Sequence, residues 1–509
     1  MEVRRCTVGM DLGTTSLKAV AFDPDGQEIA RAGREVERDS SEEGAAEEDP
    51  RAVATAATDA LATVVADAKR QGYTVGAVGL SAAMHSLIPI AADDSPLGPA
   101  LLWMDTRPEA EADALWQTAE GRSVYERTGT PVSAMAPLVK LRWLRRARPD
   151  LYQRAAQFAS LKEWLWHDWF GVWEVDASIA SATGLYNLRD QTWDDGALGL
   201  AGITPEKLST LVQPTTTRMA RQSSVLQVAG LPDDAEIVIG AADGPLANLG
   251  VGAVDATRLV LTIGTSCAVR MGSKAPLTDT ASRIFCYVLD DGRFIAGAPG
   301  NSGGVVLEWL AEKFVVSQPS ADAQTLVTLL AAAATAQDDH LLFLPYVAGE
   351  RAPFWNADAS GSIIGLRLEH TAAHVLRAAV EGILFHARWM SERLFELLGR
   401  PTELIVSGKV LEVDWIRQLA ADIFGLPVRF PGGADASATG AATLANIATK
   451  QWGWDEAVRR QSGRSAAMIQ PSVASSGYLA RYHAYRQMAS ALLQVPAAGM
   501  SADISAGAS

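Results

Sequence analysis

Cysteine is scarce in this chain of 509 residues, which contains only Cys6, Cys267 and Cys286. Three thiols are too few for a disulfide scaffold of this length. No two of them have the C-x-x-C spacing of the common metal and redox motifs. The pattern therefore predicts reduced, mostly buried thiols in a reducing compartment.

Basic residues are outnumbered by acidic ones. The chain has 44 Lys and Arg against 59 Asp and Glu, which gives a formal net charge of −15. A dedicated nucleic-acid-binding protein needs a basic face, so this excess argues against that class. It leaves room for a local basic pocket that binds a small anion.

Long uninterrupted apolar runs are also missing. The longest stretch without a charged residue, 71–92, is interrupted by Gly76, Gly79 and Pro89. Such a stretch is typical of a buried strand and loop rather than of a membrane-spanning helix. The N-terminus shows no apolar signal core before a cleavage site. We therefore expect a soluble cytoplasmic protein with no nucleic-acid partner and no membrane partner.

The residues that are present predict a folded chain of at least two domains. Hydrophobic residues make up 48% and charged residues 20% of the sequence, which excludes a disordered chain, and 509 residues exceed what one core usually serves. A strand, a Gly/Thr/Ser turn and a second strand occur at 5–20 and again at 258–270. This weak internal repeat indicates a duplicated α/β domain.

The N-terminal half shows the order of elements most clearly. Strands are predicted up to Asp11, over 17–22 and over 27–37, with tight turns that favour an antiparallel meander. A helix is predicted from Asp49 and Pro50 to Lys69, followed by a strand over 75–81, which implies a parallel pair. Eight acidic residues between 35 and 49 indicate a solvated loop. Later in the chain, Thr371 is expected to cap a long helix.

Two turns have the chemistry of phosphate cradles. Asp11 ends a strand and precedes Thr14, Thr15 and Ser16, whose amides and hydroxyls can bind phosphate oxygens. Asp11 can hold Mg²⁺, and Lys18 could approach a terminal phosphate. The alternative is an ordinary hairpin with a turn-capping Asp. A second hairpin carries Gly264 and Thr265, so that two turns could grip one polyphosphate; no complete P-loop or dinucleotide fingerprint occurs.

Other polar residues follow predicted strands. Asp243 is placed to orient a hydroxyl and accept its proton in phosphoryl transfer, or is simply a turn Asp before Gly. His85 could bind a substrate hydroxyl or carboxylate, or is a buried, satisfied histidine. The face of Trp103 could pack on sugar C–H groups, or Trp103 belongs to the core like most of the fourteen tryptophans. His370 and His374 lack a third ligand, so no metal site is predicted there.

Several of these short motifs, taken in order, resemble the FGGY family of carbohydrate kinases, and the resemblance covers about residues 6–490. Further segments look most like the gluconate-phosphorylating members of the family, although xylulose kinases share the Met-His pair at Met84 and His85. The family motifs lie at 11–16, 103–107, 240–244, 264–266, 344–355 (with 361–366 after it), 407–408, 422–427 and 438–442. The segments closest to gluconate kinases lie at 81–87, 128–131, 137–140, 176–184, 285–287 and 303–309.

The resemblance implies an α/β protein with two actin-like, or ribonuclease-H-like, domains and a central cleft. Residues 1–245 would bind sugar, 246–490 would bind nucleotide, and 491–509 would form a flexible tail. The implied reaction is ATP- and Mg²⁺-dependent phosphorylation of D-gluconate to 6-phosphogluconate. Xylulose or another pentulose or polyol is the alternative substrate, and a non-catalytic actin-type ATP-binding protein is a distant alternative. A sugar acid or sugar is the expected partner, and a homodimer is left open.

The resemblance also implies roles for individual residues. Asp243 would be the catalytic base, and Asp11 would organise Mg²⁺. Because gluconate is an anion, Lys140 and Lys162 join His85 as candidates for local positive charge. At Lys409, many family members have a second glycine. The residues implied to contact phosphate or nucleotide are Thr14, Thr15, Ser16, Lys18, Gly264, Thr265, Gly304 and Gly408. Those implied to contact the sugar are Met84, His85, Trp103, Asp105 and Asp176.

Overall fold

The computed structural model describes residues 4–315, 323–336, 340–432, 435–463 and 467–493. These residues form two compact units. Unit 1 comprises 4–255, 271–296 and 435–463, and unit 2 comprises the described residues of 256–270, 297–432 and 467–493. Most of the predicted tail, 494–509, lies outside the described residues.

The strands within the described residues are β1 Arg4–Leu12, β2 Ser16–Phe22, β3 Glu28–Glu35, β4 Glu47–Glu48, β5 Tyr73–Ala82, β6 Ile88–Ile90, β7 Ala100–Leu101, β8 Gln157–Ala159, β9 Glu174–Asp176, β10 Tyr186–Asn187, β11 Thr192–Trp193, β12 Thr210–Val212, β13 Thr217–Met219, β14 Glu236–Ala242, β15 Arg258–Ile263, β16 Cys267–Ser273, β17 Phe285–Asp290, β18 Arg293–Gly300, β19 Leu342–Leu344, β20 Ser362–Ile364, β21 Glu403–Ser407, β22 Val428–Arg429 and β23 Met468–Ile469.

The α-helices are α1 Pro50–Arg70, α2 Glu109–Trp116, α3 Ala119–Thr128, α4 Pro137–Ala147, α5 Pro149–Arg154, α6 Leu161–Phe170, α7 Ala177–Ser181, α8 Asp195–Ala201, α9 Ser224–Val228, α10 Asp243–Gly250, α11 Gly304–Leu310, α12 Ala323–Ala333, α13 Ala372–Leu398, α14 Asp414–Phe424, α15 Ala436–Ala448, α16 Trp454–Ser462 and α17 Ser475–Leu493.

Unit 1 is built on a six-stranded sheet in the order β13-β14-β5-β1-β2-β3. The strands β1, β2 and β3 are antiparallel neighbours, so the predicted meander is confirmed. The strand β5 runs parallel to β1 on one side and to β14 on the other. The carboxyl ends of three adjacent strands therefore lie at one edge of the sheet, which is where open α/β sheets bind ligands.

Helix α1 begins where the sequence predicts. The Asp49 side chain accepts a hydrogen bond from the Arg51 amide at 3.0 Å, and Pro50 occupies the first turn. Apolar residues at helical spacing, among them Val53, Ala57 and Leu61, are fully or almost fully buried. This face packs against β2, β3 and β5.

Helix α15 packs against β1, β5 and β14, although nearly the whole chain separates it from β1. The contact is backbone to backbone. A Cβ placed on Gly9 would lie 1.8 Å from the Ala438 carbonyl oxygen, and one on Gly79 would lie 2.1 Å from that of Ala441. Only glycine permits so close an approach at these two strand positions.

The predicted acidic loop contains an exception. Glu47 and Glu48 form the short strand β4, which pairs antiparallel with β7. Glu48 is only 3% exposed. The interpretation of 35–49 as a wholly solvated loop is therefore wrong at Glu48, because the pairing with β7 draws this side chain into the protein.

In unit 2, β15 has β16 on one side and β21 on the other, followed by β22 and β23. The strands β15, β21 and β22 are parallel, and β23 is antiparallel to β22. The long helix α13 begins after Thr371, as predicted, and the Thr371 amide donates to His374 Nδ1 at 3.2 Å.

The cysteines Cys6, Cys267 and Cys286 are buried and unpaired by disulfides, as predicted. In the part of the chain that the structure describes, no helix has both the length and the apolar character that crossing a bilayer requires.

Candidate functional site

Two predicted carboxylates lie at the ends of β1 and β14, the two strands of unit 1 that flank β5. Asp11 near the end of β1 is in register with Ser81 of β5, and Ser81 is in register with Ala241 of β14. Asp243 is the first residue of α10 and directly follows β14. The parallel topology thus brings Asp11 and Asp243, which are far apart in sequence, to one edge of the sheet.

The environment of Asp11 disfavours its charge. Burial raises the pKa of Asp11 to about 7, and the negative charges of Asp435 and Asp243 act in the same direction. A hydrogen bond from Ser81 Oγ, at 2.7 Å, and the charge of Lys18 oppose this rise only in part. The three carboxylates therefore act on one another as like charges.

Asp435 is a member of this cluster that sequence reasoning missed. Its carboxylate accepts a hydrogen bond from Lys18 Nζ at 2.8 Å and another from the Ala438 amide, so it caps α15. Lys18, predicted to approach a phosphate, thus forms an ion pair in this structure. The signal for Asp435 is an Asp directly before a run of small helical residues, which alone indicates a cap.

The first predicted phosphate hairpin connects β1 and β2. Gly13, Thr14 and Thr15 form its turn, and Ser16 begins β2. Thr15 is exposed, while Thr14 and Ser16 are half-buried. The turn lies directly beyond Asp11, so its amides and hydroxyls occupy the same end of β1 as the carboxylate cluster.

The donor set fits Mg²⁺ that arrives with phosphates. Among the described residues, no group of three or more His, Cys, Asp or Glu could hold a metal ion. Mg²⁺ usually keeps several waters and takes only one or two carboxylates besides substrate phosphates. The pKa of Asp11 is raised first by burial and then by the negative charges of Asp435 and Asp243, which a cation would neutralise; Asp11 and Asp435 are the carboxylates that would hold it.

Met84 and His85 form the predicted sugar-contact pair. His85 has a φ of 70°, a strained value for a residue other than glycine, and such strain often occurs at functional sites. The His85 ring lies with Nδ1 2.7 Å from the Ala182 carbonyl oxygen and Nε2 3.5 Å from Tyr287 Oη. Met84 packs against Ala182, Phe285 and Tyr287. The rings of Phe285 and Tyr287 are stacked on each other, with centroids 4.8 Å apart.

The ammonium group of Lys140 binds backbone carbonyl oxygens next to this pair rather than facing a ligand. Its ammonium donates to the carbonyl oxygens of His85, Leu101 and Leu102 at 2.6, 3.2 and 2.7 Å, and the side chain is fully buried. Burial lowers the pKa of Lys140 to about 7. Lys140 thus fixes the strained turn at His85 and the segment leading into half-buried Trp103.

The two predicted sugar-side aspartates have cationic partners in this structure. Asp105 accepts hydrogen bonds from Arg107, one of them from Arg107 Nε to Asp105 Oδ1 at 3.1 Å, and the Asp105 side chain is fully buried. Asp176 accepts from Lys162 Nζ at 2.8 Å, and both side chains are at most 2% exposed. Lys162 also donates to the Ala241 carbonyl at 3.1 Å, so this pair supports the end of β14 just before Asp243.

The residues predicted to bind nucleotide in the second half lie together in unit 2. The Gly304 amide donates to the Gly264 carbonyl at 2.7 Å, and the Val305 amide donates to that of Thr265 at 3.1 Å. Gly408 has a φ of 107°, and a Cβ there would lie 1.9 Å from the Ile263 carbonyl oxygen. The hairpin tip, the start of α11 and the end of β21 therefore form one backbone-lined cluster. Lys409 is exposed beside it.

Glu350 is a second residue that the sequence prediction missed. Its buried carboxylate accepts from the Asn301 and Ser302 amides at 2.5 and 3.2 Å and from Ser302 Oγ at 2.6 Å. His386 Nε2 lies 3.1 Å from the same group. Glu350 thereby fixes the turn that leads into α11. It lies within the motif at 344–355, whose position alone does not reveal this contact.

Comparison with known proteins agrees with the motifs. Residues 6–250 match the N-terminal domain, and residues 259–449 the C-terminal domain, of the FGGY family of carbohydrate kinases. A gluconokinase of Bacillus subtilis (strain 168) is 36% identical over 450 residues, which are 87% of each chain.

Solved structures show the same fold. A gluconate kinase from Lactobacillus acidophilus matches with a TM-score of 0.87 and 29% identity, covering 96% of this chain and 98% of that chain. A ligand-bound xylulose kinase from the same organism also matches at 0.87 and 29%, covering 96% and 99%. The predicted α/β, actin-like two-domain fold and the predicted family are thus confirmed: the chain belongs to the FGGY family of carbohydrate kinases.

Proposed function

We propose that this kinase transfers the γ-phosphoryl group of ATP to D-gluconate, forming 6-phosphogluconate and ADP. The observation that carries the substrate assignment is the 36% identity, over 87% of both chains, to a protein named gluconokinase. The likeness to a xylulose kinase structure keeps a pentulose as the second candidate. A cytoplasmic location is part of the proposal.

The chemistry would depend on the carboxylates at the edge of the unit 1 sheet. The primary hydroxyl of gluconate attacks the γ-phosphorus, a new O–P bond forms, and the bond to the β–γ bridging oxygen breaks. Asp243 would orient that hydroxyl and accept its proton. Mg²⁺, when bound through Asp11 and Asp435, supplies charge neutralisation on the phosphates.

The backbone loops have separate tasks in this proposal. Thr14, Thr15 and Ser16 would donate hydrogen bonds to phosphate oxygens from the hairpin of unit 1. Gly264, Thr265, Gly304 and Gly408 would line the nucleotide site of unit 2, where the lack of side chains at the three glycines lets the ligand reach backbone amides. Met84, His85 and Trp103 would contact the polyol chain, and Asp105 and Asp176 would shape that site through their buried ion pairs.

A substrate panel tests the proposal. Purified protein is incubated with ATP, Mg²⁺ and D-gluconate, D-xylulose or glycerol, and ADP release is followed by a coupled assay. The highest kcat/KM is expected for gluconate, with loss of activity in excess EDTA and recovery on adding Mg²⁺. A higher kcat/KM for xylulose or glycerol would reject gluconate as the substrate while retaining the kinase activity.

A further inference from the structure

The buried carboxyl group of Glu48 has an oxygen that lacks a partner. Glu48 is 3% exposed, and its Oε1 has no hydrogen-bond partner among the described residues. Burial raises the pKa of Glu48 to about 7, and the charge of Arg38 opposes the rise. A buried polar atom without a partner costs stability, so a donor that reaches this oxygen, from a ligand hydroxyl or a water, would be favourable.

The cavity beside Glu48 is lined by residues of both predicted ligand sites of unit 1. It is lined by Gly13 and Thr14 of the phosphate hairpin, and also by Met84, Ser86 and Leu102. Its volume is about 10 Å³, which is close to the smallest space that holds one water-sized group. A single hydroxyl group fits this space, whereas a whole sugar does not.

Backbone pairing fixes Glu48 relative to the sugar-side segment. Glu48 pairs with Ala100 across β4 and β7, and the Leu102 amide donates to the Ala46 carbonyl at 2.9 Å. The chain continues from Leu102 directly into Trp103. The backbone at Glu48 is thus held in place by secondary structure.

The other carboxylates of this region differ in this respect. Asp105 and Asp176 have both been found in buried ion pairs, with Arg107 and Lys162. Of these three buried carboxylates, only Glu48 has a side-chain oxygen without a partner in the described parts of the chain. A polyol hydroxyl is a donor that could satisfy it, and Arg38 lies close enough to offset part of the negative charge.

We propose that Glu48 is a substrate-binding residue that accepts a hydrogen bond from one hydroxyl of the polyol chain and so contributes to sugar specificity. The inference rests on the proposed function, because it assumes that a polyhydroxy acid occupies the site lined by Met84 and Thr14. It adds a residue that neither the motifs nor the predicted roles include.

Two variants separate binding from a structural role. Glu48→Leu is expected to lower kcat/KM for gluconate about tenfold to a hundredfold, mainly through KM, while KM for ATP changes less than about twofold. Its thermal midpoint should not fall, because an unsatisfied buried polar group is removed. Glu48→Gln keeps an acceptor oxygen and should retain activity within about threefold. Exposed Glu37→Gln is the matched control and should behave as wild type.

Deoxygluconates identify the contact. For one member of the series, wild type and Glu48→Leu should have the same kcat/KM, since the hydroxyl that Glu48 binds is missing. A lower thermal midpoint of Glu48→Leu with an unchanged KM for gluconate would overturn the inference. So would a kcat/KM of Glu48→Leu that stays below that of wild type for every deoxygluconate. If wild type instead prefers xylulose in the panel, the proposed function fails; a deoxyxylulose series then tests Glu48 by the same criterion.

Discussion

Asp243 and Asp11 have the same side chain, but their substitution by Asn is expected to affect activity and stability differently. Asp243→Asn should lower kcat by about 10²–10⁴-fold, because the amide cannot accept the proton of the attacking hydroxyl. The fold should be retained, since the substitution preserves size. Steady-state kinetics and circular dichroism check this, with exposed Asp190→Asn as control. Near-normal kcat in Asp243→Asn would refute the base assignment.

Asp11→Asn should lose activity yet gain stability. The pKa of Asp11 is about 7 in the folded protein, above its ordinary value of 3.8, so folding opposes its ionisation. The resulting destabilisation of wild type begins as pH rises through the unfolded-state value and is complete above about 7. We expect the variant to be more stable by about 1 kcal/mol or more at pH 8, with little difference at pH 4.

Urea unfolding at several pH values measures this effect. A stability difference between wild type and Asp11→Asn that stayed constant from pH 4 to pH 8 would contradict the proposed environment of Asp11. Ser81→Ala offers a matched comparison, because it removes the 2.7 Å hydrogen bond to Asp11 and leaves the carboxylate charge in place. This variant should raise the pKa of Asp11 further and lower stability at pH 8.

At this scale the sequence identified residues by type and neighbours, but not their partners. Asp11 was found because it ends an apolar strand before a Gly/Thr/Ser turn, and Asp243 because it follows a strand and directly precedes glycine. Asp435 and Glu350 were missed, since a helix cap and a carboxylate inside a motif look the same whether or not they hold distant groups. Lys140 and Lys162 were expected to offer positive charge to a ligand, whereas both ammonium groups are buried against protein carbonyls or Asp176.

At the scale of elements, the end of β21 depends on one glycine. Gly408 has a φ of 107°, and any Cβ there would overlap the Ile263 carbonyl oxygen at 1.9 Å. Gly408→Ala should therefore lower the free energy of unfolding by about 2–4 kcal/mol and raise KM for ATP. Exposed Lys409→Ala next to it should leave stability within about 0.5 kcal/mol of wild type.

Thermal or urea unfolding together with KM for ATP measures both variants. Equal stability of Gly408→Ala and wild type would contradict the tight contact between β21 and β15. A change in KM for ATP in Lys409→Ala without a stability change would show that Lys409 contacts the nucleotide at the position where many family members have a glycine. Because Lys409 lacks a positive φ, a side chain is accommodated there where it is not at Gly408.

The order of elements was largely predictable, since period and turn residues are local signals. The meander β1–β2–β3, the Asp49-Pro50 start of α1 and the Thr371 cap of α13 were all predicted. The short strand β4 was not, because a run of acidic residues resembles solvated loop until a partner strand pairs with it. The buried position of Glu48 arises only from that pairing.

At the scale of the whole molecule, the predicted domain boundary at residue 245 stays a proposal. Any such boundary must account for helix α15, which follows residue 245 in the sequence. This helix comes from the last quarter of the sequence and belongs to unit 1 with β1 and β5. Sequence patterns give helices and strands but not which helix covers which sheet, because that choice depends on contacts between distant residues.

The glycine contacts of α15 allow a direct test. Gly9→Ala should lower the free energy of unfolding by about 3 kcal/mol, because its Cβ would lie 1.8 Å from the Ala438 carbonyl oxygen. Gly199→Ala in α8 is the control: its Cβ would meet no atom within 4 Å, so stability should change by less than about 1 kcal/mol, in the stabilising direction. Equal urea midpoints for the two variants would contradict the packing of α15 on β1.

The same helix has a consequence for synthesis on the ribosome. The strands β1 and β5 are complete at Ala82, yet α15 begins only at Ala436. At a synthesis rate of about 5–20 residues per second, roughly 20–70 s pass between completion of β5 and the start of α15. During that interval the faces of Gly9 and Gly79 are open to other chains or to chaperones. A nascent chain stalled before residue 436 is therefore expected to be sensitive to protease and to be bound by chaperones, and one released after residue 448 should be protected.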